Sequence, residues 1–539
     1  VFNDYLISEE NERMYLRFEA VQYSCDVYLN GEKLGSHIGS EVPFEYDVTD
    51  IIRPNEENFI AVAVSNGKGM LAGSNTETGA FWDCGGIWQE VSLISRPEVY
   101  ISDVYAKPDW KTGEVEMDIT VVNESEEQKT VSIGAAINEK GGAVVENIAA
   151  QSFQAAPGEN TFTIKGKVKN FKLWDTENPN LYEVNATLSS ASGRHSYEPF
   201  HIGFRHIEIK DGYYYLNGER FFLKMIHQNA YDPLIIQGTP RDLTYQTKAL
   251  DNLKETGFNT FRTIGMAGLP AQLDYADEIG LLIYEESSQS WLGKNAWINE
   301  VQDELIIRDR NHPSIIVWGL LNEIVYAGDN RLDITRDYLT RLRTLDMTRP
   351  VAWNSGSFDY NSLCSHMSNS YSTTWDIYMG NESETLEQNG YYDGSLADTT
   401  IDSSKGYVGD LHFYPVYPLQ KSSLEYLKTI GEGVNPVSIT EAGTGSMFNP
   451  YNERDKTIAA GGDTSSFGMQ KWVYPLIDGL DYFFNKYPTL SKLYDEPRNI
   501  IDDSDAINLR QRQILMSYIR ANPQVNGYGL TSLSDAQGL

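Results

Sequence analysis

The chain has 539 residues, enough for three or four domains at about 150 residues each. Its 41% hydrophobic and 22% charged residues argue against wholesale disorder, and a net charge of −33 argues against nucleic acid or an anionic membrane as partner. Three cysteines (Cys25, Cys84, Cys364) without a CxxC pair exclude a disulfide framework and a thiolate zinc cluster.

No apolar run approaches a membrane span, so no membrane partner is expected. Residue 1 is Val, and Asn526–Leu539 reads as a strand followed by an open loop, so both ends look cut. Targeting signals therefore give no compartment; a bacterial cytoplasm or periplasm is the expected setting. A homo-oligomer is compatible with the composition.

Residues 1–97 read as β-structure. Met14–Val21 and Ser24–Leu29 alternate apolar with polar residues, and Asn30–Gly31 supplies a hairpin turn. Glu41–Asp47, Asn58–Val64 and Ile87–Ile94 continue the pattern. This predicts a β-sandwich. In 98–204, short strands at Glu114–Val122, Thr130–Ala136, Thr161–Ile164 and Leu181–Leu188 recur about every ten residues between polar turns, the spacing of an immunoglobulin-like β-sandwich.

The pattern changes after Gly212. A hairpin around Asn217–Gly218 leads into 205–539, where helices alternate with apolar runs. Eight candidate parallel strands follow: Phe221–Ile226, Asn259–Thr263, Leu281–Glu285, Ile315–Leu321, Val351–Asn354, Tyr407–Tyr414, Val437–Glu441 and Gly527–Thr531. At about 40 residues per unit this predicts a (β/α)8 TIM barrel; a doubly wound open sheet is the alternative, but no GxGxxG follows any strand.

A barrel places its chemistry at the C-terminal ends of its strands. The polar residues there are His227, Gln228 and Asn229, then Arg262, then Glu285 and Glu286, then Asn322 and Glu323, then Asn354, His412, Tyr414 and Glu441. Glu323 and Glu441 fall on the fourth and seventh strands, across the mouth from one another. Two facing carboxyl groups are what glycoside hydrolysis needs: one protonates the departing oxygen, the other attacks or stabilises the oxocarbenium-like centre. Arg262 can reach Glu441 across the mouth. Singly, each glutamate would read as a capping or salt-bridged strand end.

Asn311–Glu323 (NHPSIIVWGLLNE) closely resembles the acid/base signature of glycoside hydrolase family 2, which includes β-galactosidases, β-glucuronidases and β-mannosidases. Leu216–Lys224, Gly257–Arg262, Asp277–Glu285 and Pro436–Ser446 resemble further barrel segments of that family. Val27–Gly35, Pro43–Asp50 and Gly85–Leu93 resemble its sugar-binding jelly roll, and Leu173–Tyr182 the end of its sandwich domain.

The resemblance implies a jelly roll, an immunoglobulin-like sandwich and a TIM barrel that together hydrolyse a glycoside or oligosaccharide without a cofactor. It makes Glu323 the general acid/base and Glu441 the nucleophile of a retaining double displacement, their carboxyl groups about 5–5.5 Å apart. Asn322 would bind the sugar 2-hydroxyl, and His412 and Tyr414 would line the subsite or orient Glu441. Arg262, Asn229 and Trp291 are further substrate-site candidates. So is Asp83, in the loop Trp82–Gly86, which in relatives can reach the barrel mouth.

The departures concern the sugar. TIGMAGLP follows Arg262 where β-galactosidases and β-glucuronidases carry Ser-His-Tyr-Pro, and Gln289 and Trp291 stand near the positions of a magnesium-binding Glu and His. No catalytic metal is therefore expected. Galactose leads, with glucuronic acid, mannose and glucosamine-type sugars behind. Two rivals differ in kind: a non-catalytic carbohydrate-binding protein, which needs a lost carboxylate, and an endo-glycanase, which needs an open groove. Trp375, Tyr378, Tyr391, Tyr392 and Tyr371 are expected to stack on the second sugar or aglycone; unchanged Michaelis constants after Trp375→Ala and Tyr378→Ala would count against that.

Overall fold

The computed structural model describes residues 2–3, 12–22, 24–39, 41–65, 86–229, 243–264, 267–286, 298–322, 331–356, 367–373, 410–415, 418–431, 436–466 and 468–531. Two three-stranded antiparallel sheets form the N-terminal sandwich, one from Glu12–Phe18, Phe44–Asp47 and Val91–Pro97, the other from Ser24–Leu29, Glu32–Ile38 and Ile60–Ser65. Met14, Leu16 and Phe18 of the first meet Cys25, Val27 and Leu29 of the second, every other residue of each strand, as a sheet with one solvated face requires. Asn30 and Gly31 turn the hairpin with φ of 53° and 91°, values that a side chain larger than Asn rarely tolerates.

The second sandwich pairs Val99–Pro108, Glu114–Asn123 and Gly158–Lys167 in one sheet and packs it on strands that include Lys129–Glu139, Val144–Ala155 and Tyr182–Ser190. Their inward Val, Ile, Leu and Met side chains make one core. It is immunoglobulin-like in architecture, as expected.

The barrel strands are β1 (Leu223–Asn229), β2 (Thr260–Ile264), β3 (Leu282–Glu286), β4 (Ile315–Asn322), β5 (Val351–Ser355), β6 (Asp410–Phe413), β7 (Val437–Ala442) and β8 (Val525–Thr531). They pair in parallel in the order β5-β4-β3-β2-β1-β8-β7-β6, so the last barrel strand, β8, returns to pair with the first, β1. Between β5 and β6 the contact among described residues runs through side chains, Ser355 Oγ donating to Asp410 Oδ2 at 2.9 Å.

The α-helices among the described residues are α1 (Leu243–Glu255), α2 (Pro270–Ile279), α3 (Ile298–Asp309), α4 (Arg331–Leu345), α5 (Lys421–Thr429), α6 (Pro450–Ala459), α7 (Tyr474–Lys486) and α8 (Arg498–Ala521). Ile226, Phe261, Ile283, Ile315 and Trp318 face outward onto this layer, where Leu250, Leu273, Ile306 and Leu342 cover them. The hairpin of Ile207–Lys210 and Tyr213–Leu216 packs against Met225, Leu282, Tyr284 and Val317. Burial on both faces explains why these strands read as unbroken apolar runs. No helix among the described residues is long and apolar enough to cross a membrane.

Candidate active site

Glu441, 4% exposed, lies near the C-terminal end of β7. The register of β7 with β8 shifts between Ile439 and Ala442. Thr440 and Glu441, neighbours in the chain, both face the barrel interior: Thr440 donates to Asp410 on β6, and Glu441 meets Arg262 on β2. Regular alternation would send one of them into the helical layer, so the irregularity aims the carboxylate.

Arg262 has no exposed surface and joins three strand ends. Its Nη1 lies 3.2 Å from Glu441 Oε1, its Nη2 donates to Asn322 Oδ1 at 2.8 Å, and its Nε and Nη2 donate to Glu286 Oε1 at 2.8 and 2.6 Å. One cation thus serves two buried carboxylates. Burial pushes the Glu286 carboxyl up to about 7, with Arg262 opposing and Glu441 adding to the rise. Asn322 has its oxygen committed to Arg262, and its buried Nδ2 has no hydrogen-bond partner among the described residues.

The second oxygen of Glu441 receives the Tyr414 hydroxyl, with His412 Nδ1 at 3.4 Å and His227 Nε2 at 3.9 Å. Ser355 Oγ stands 3.2 Å from His412 Nε2 and donates to Asp410, so a polar chain backs the imidazole. Burial, reinforced by the positive Arg262 and by His412, holds His227 well below the usual histidine range, and its ring is neutral at pH 7. Tyr414 is 44% exposed, so the rim of this cluster opens to solvent.

The structure therefore brings Arg262, Asn322, His412, Tyr414 and Glu441 together. Glu323, Asp83 and Trp291 lie outside the described residues, as do Gln289, Trp375, Tyr378, Tyr391 and Tyr392. Asn229 ends β1 opposite Ile264, but its side chain is likewise outside them. Glu285 turns away from the mouth, accepting from the Gly268 amide at 2.9 Å with Arg308 at 4.0 Å. Glu286 and His227, read from the sequence as polar strand-end residues, join the cluster, as do Ser355 and Thr531, which that reading did not name. Their place at strand ends was the signal available.

Among the described residues, one group of metal-type ligands converges: Asp274, Asp277 and His312. It sits before the start of β4, at the other end of the barrel. Asp277 is already committed there to His312 Nδ1 at 2.6 Å and the Ser314 amide at 2.9 Å.

Sequence models of glycosyl hydrolases family 2 match residues 4–391 almost without a break: the sugar-binding domain at residues 4–97, the family's central domain at 99–205 and its TIM barrel domain at 207–391. The chain belongs to glycoside hydrolase family 2. A β-galactosidase of Thermoanaerobacter pseudethanolicus is 32% identical over 352 residues, 64% of this chain and 46% of that protein. One of Streptococcus thermophilus is 27% identical over 453 residues, 78% of this chain and 41% of that protein. The crystal structure of a family 2 β-galacturonidase from Eisenbergiella tayi superposes with a TM-score of 0.68 at 18% identity, covering 98% of this chain and 80% of that one, a likeness of fold. This family 2 chain spans less than half the length of the curated relatives it matches.

Proposed function

We propose that the protein is a retaining exo-β-glycosidase. The observation that carries this is the Glu441 carboxylate, fixed at the end of β7 with one oxygen on Arg262 and the other on Tyr414. A nucleophile must stay oriented while it waits for the anomeric carbon, and a donor on each of its two oxygens supplies that orientation. Glu323, next to the buried Asn322 on β4, is the general acid/base. With its Oδ1 occupied, Asn322 offers its Nδ2 to the sugar 2-hydroxyl, a contact that tightens in the transition state.

Residues 1–97 supply a wall of the mouth of a barrel in 205–539, while residues 98–204 join the barrel near the starts of β4 and β5, where Asn311 donates to the Val104 carbonyl and Tyr105 to Asp346. Glu41, on a loop of the first sandwich, accepts from the Ala267 amide at 2.9 Å, just beyond β2, and its backbone oxygen receives Arg308. Such a contact favours a closed pocket and removal of one terminal sugar.

Galactose is the first substrate to test, supported by the two β-galactosidase relatives; an uronic acid is the second, supported by the β-galacturonidase of like fold. A panel of p-nitrophenyl β-glycosides, with the anomer of the first-formed product read by NMR, tests sugar and stereochemistry together. Inverted product, or no hydrolysis of any β-glycoside, would overturn the proposal.

A further inference from the structure

Thr531, the last residue of β8, lies directly opposite His227 in the parallel β1–β8 pairing. Its Oγ1 is 2.7 Å from His227 Nε2 and 2.7 Å from the Tyr414 hydroxyl, which itself donates to Glu441 Oε2. We propose that Thr531 is a positioning residue for the reacting carboxylate: its hydroxyl joins His227 to Tyr414 in a one-way hydrogen-bond chain that ends on Glu441. The inference rests on the glycosidase reading of Glu441 and goes beyond it by assigning a role to a residue that does not touch the carboxylate.

The direction of the chain follows from proton counting. An ionised carboxylate only accepts, so the single proton of Tyr414 points to Glu441. The phenol oxygen is then an acceptor for Thr531, whose one hydroxyl proton goes to it. Thr531 Oγ1 in turn accepts from His227 Nε2, which fixes the imidazole as the Nε2–H tautomer with a bare Nδ1.

Among the described residues buried His227 Nδ1 has no hydrogen-bond partner, and a bare ring nitrogen there costs less than a stranded N–H. The reverse chain would strand that N–H and withdraw the Thr531 proton from the phenol. A donor on the phenol oxygen polarises the O–H toward Glu441 and strengthens that bond. The strand end that carries the device is itself fixed, because Arg512 Nη2 on α8 donates to the Thr531 backbone oxygen at 3.1 Å.

The test compares Thr531→Val, which keeps the shape and removes the hydroxyl, with Thr531→Ser, which keeps the hydroxyl. The Val variant is expected to lower kcat/KM about three- to tenfold, the worth of one hydrogen bond, mostly through kcat. Its acid limb should move to higher pH as Glu441 becomes more basic, and the Ser variant should recover most of both effects. A Val variant within twofold of the parent, with the same acid limb, would overturn the inference while leaving the glycosidase reading intact.

A second arm needs no substrate. Nitrogen-15 histidine spectra, with the His227 signals assigned by their loss in His227→Gln, should show a neutral ring protonated at Nε2, and altered Nε2 signals in Thr531→Val. A ring protonated at Nδ1 would overturn the inference even if every β-glycoside tested proved inert, an outcome that would separately defeat the glycosidase reading.

Discussion

Arg262 places two nitrogens on a single oxygen of Glu286, at 2.8 and 2.6 Å, while the other oxygen of Glu286 is buried without a hydrogen-bond partner among the described residues. The arrangement spends one positive charge on two buried carboxylates, and burial lifts the Glu286 carboxyl from 4.5 to about 7. A carboxyl raised in the native state binds a proton there that the unfolded chain has already released. Stability should therefore fall as pH rises from about 4.5 to 7, by on the order of 3 kcal/mol in total. Glu286→Gln removes the titration and should flatten that decline. Urea unfolding at pH 4.5, 6 and 8 measures it; equal slopes in parent and variant would clear Glu286 of responsibility.

Replacement of Glu441 should separate chemistry from folding. In Glu441→Ala, Arg262 retains Glu286 and Asn322, so the buried guanidinium is not left without a counter-charge. Turnover of an aryl β-glycoside is expected to drop by several orders of magnitude with the thermal melt preserved. A collapse of the melt would show that Glu441 is chiefly structural.

Tyr414→Phe should act on the same carboxylate more gently. It removes one hydrogen bond to a charged group, typically about 1.5–3 kcal/mol, which corresponds to roughly a ten- to hundredfold loss of kcat/KM. Because Tyr414 is 44% exposed, stability should barely change. Steady-state kinetics beside a melting curve decides; undiminished kcat/KM would remove Tyr414 from the site.

The barrel was legible because strands covered on both faces must be apolar throughout, and they stop where a polar residue meets the mouth. Ile315–Leu321 was one residue short of the strand found, and Gly527–Thr531 missed the first two residues of β8. Arg262 and Glu441 stood out because a charge ends each apolar run. Their supporting partners did not, because contacts across strands depend on register. Whether Glu285 or Glu286 faces inward turns on one residue of phase, and the irregularity that turns both Thr440 and Glu441 inward leaves no mark in the composition. Thr531 is an ordinary strand residue until the pairing of β8 with β1 sets it beside His227.

Asp346 should prove a joint between the second sandwich and the barrel. It accepts from Tyr105 of the sandwich at 3.1 Å, and from Trp318 Nε1 and Arg349 Nη1 at 2.7 Å each. Burial alone would raise its carboxyl, yet Arg349, Trp318 and Thr348 hold it well below the usual range. A depressed carboxylate adds stability above its unfolded pKa, and that stability is lost as pH falls from about 4 toward the native value. Asp346→Asn leaves Arg349 and Trp318 short of an anionic acceptor and should cost about 3–5 kcal/mol at pH 7. Chemical denaturation of parent and variant at pH 7 and pH 3 should show the gap narrowing in acid.

Gly356 is a glycine that the site should tolerate poorly. Its φ of +86° already disfavours any side chain, and an added Cβ would stand 2.4 Å from Cε1 and Nδ1 of His412. The imidazole has nowhere to retreat: Nδ1 faces Glu441 at 3.4 Å, while Nε2 faces Ser355 at 3.2 Å and Arg262 at 3.5 Å. Gly356→Ala is therefore expected to cost about 1–3 kcal/mol of stability through backbone strain, and to displace His412 from Glu441 in the molecules that do fold. The loss of kcat should exceed what the remaining folded fraction explains. Gly445→Ala, four residues past Glu441, supplies the comparison, because an added Cβ there meets nothing within 4 Å among the described residues. It should change neither property by more than about 0.5 kcal/mol. If both glycine variants behave alike, the close approach of Gly356 to His412 does not matter to the site.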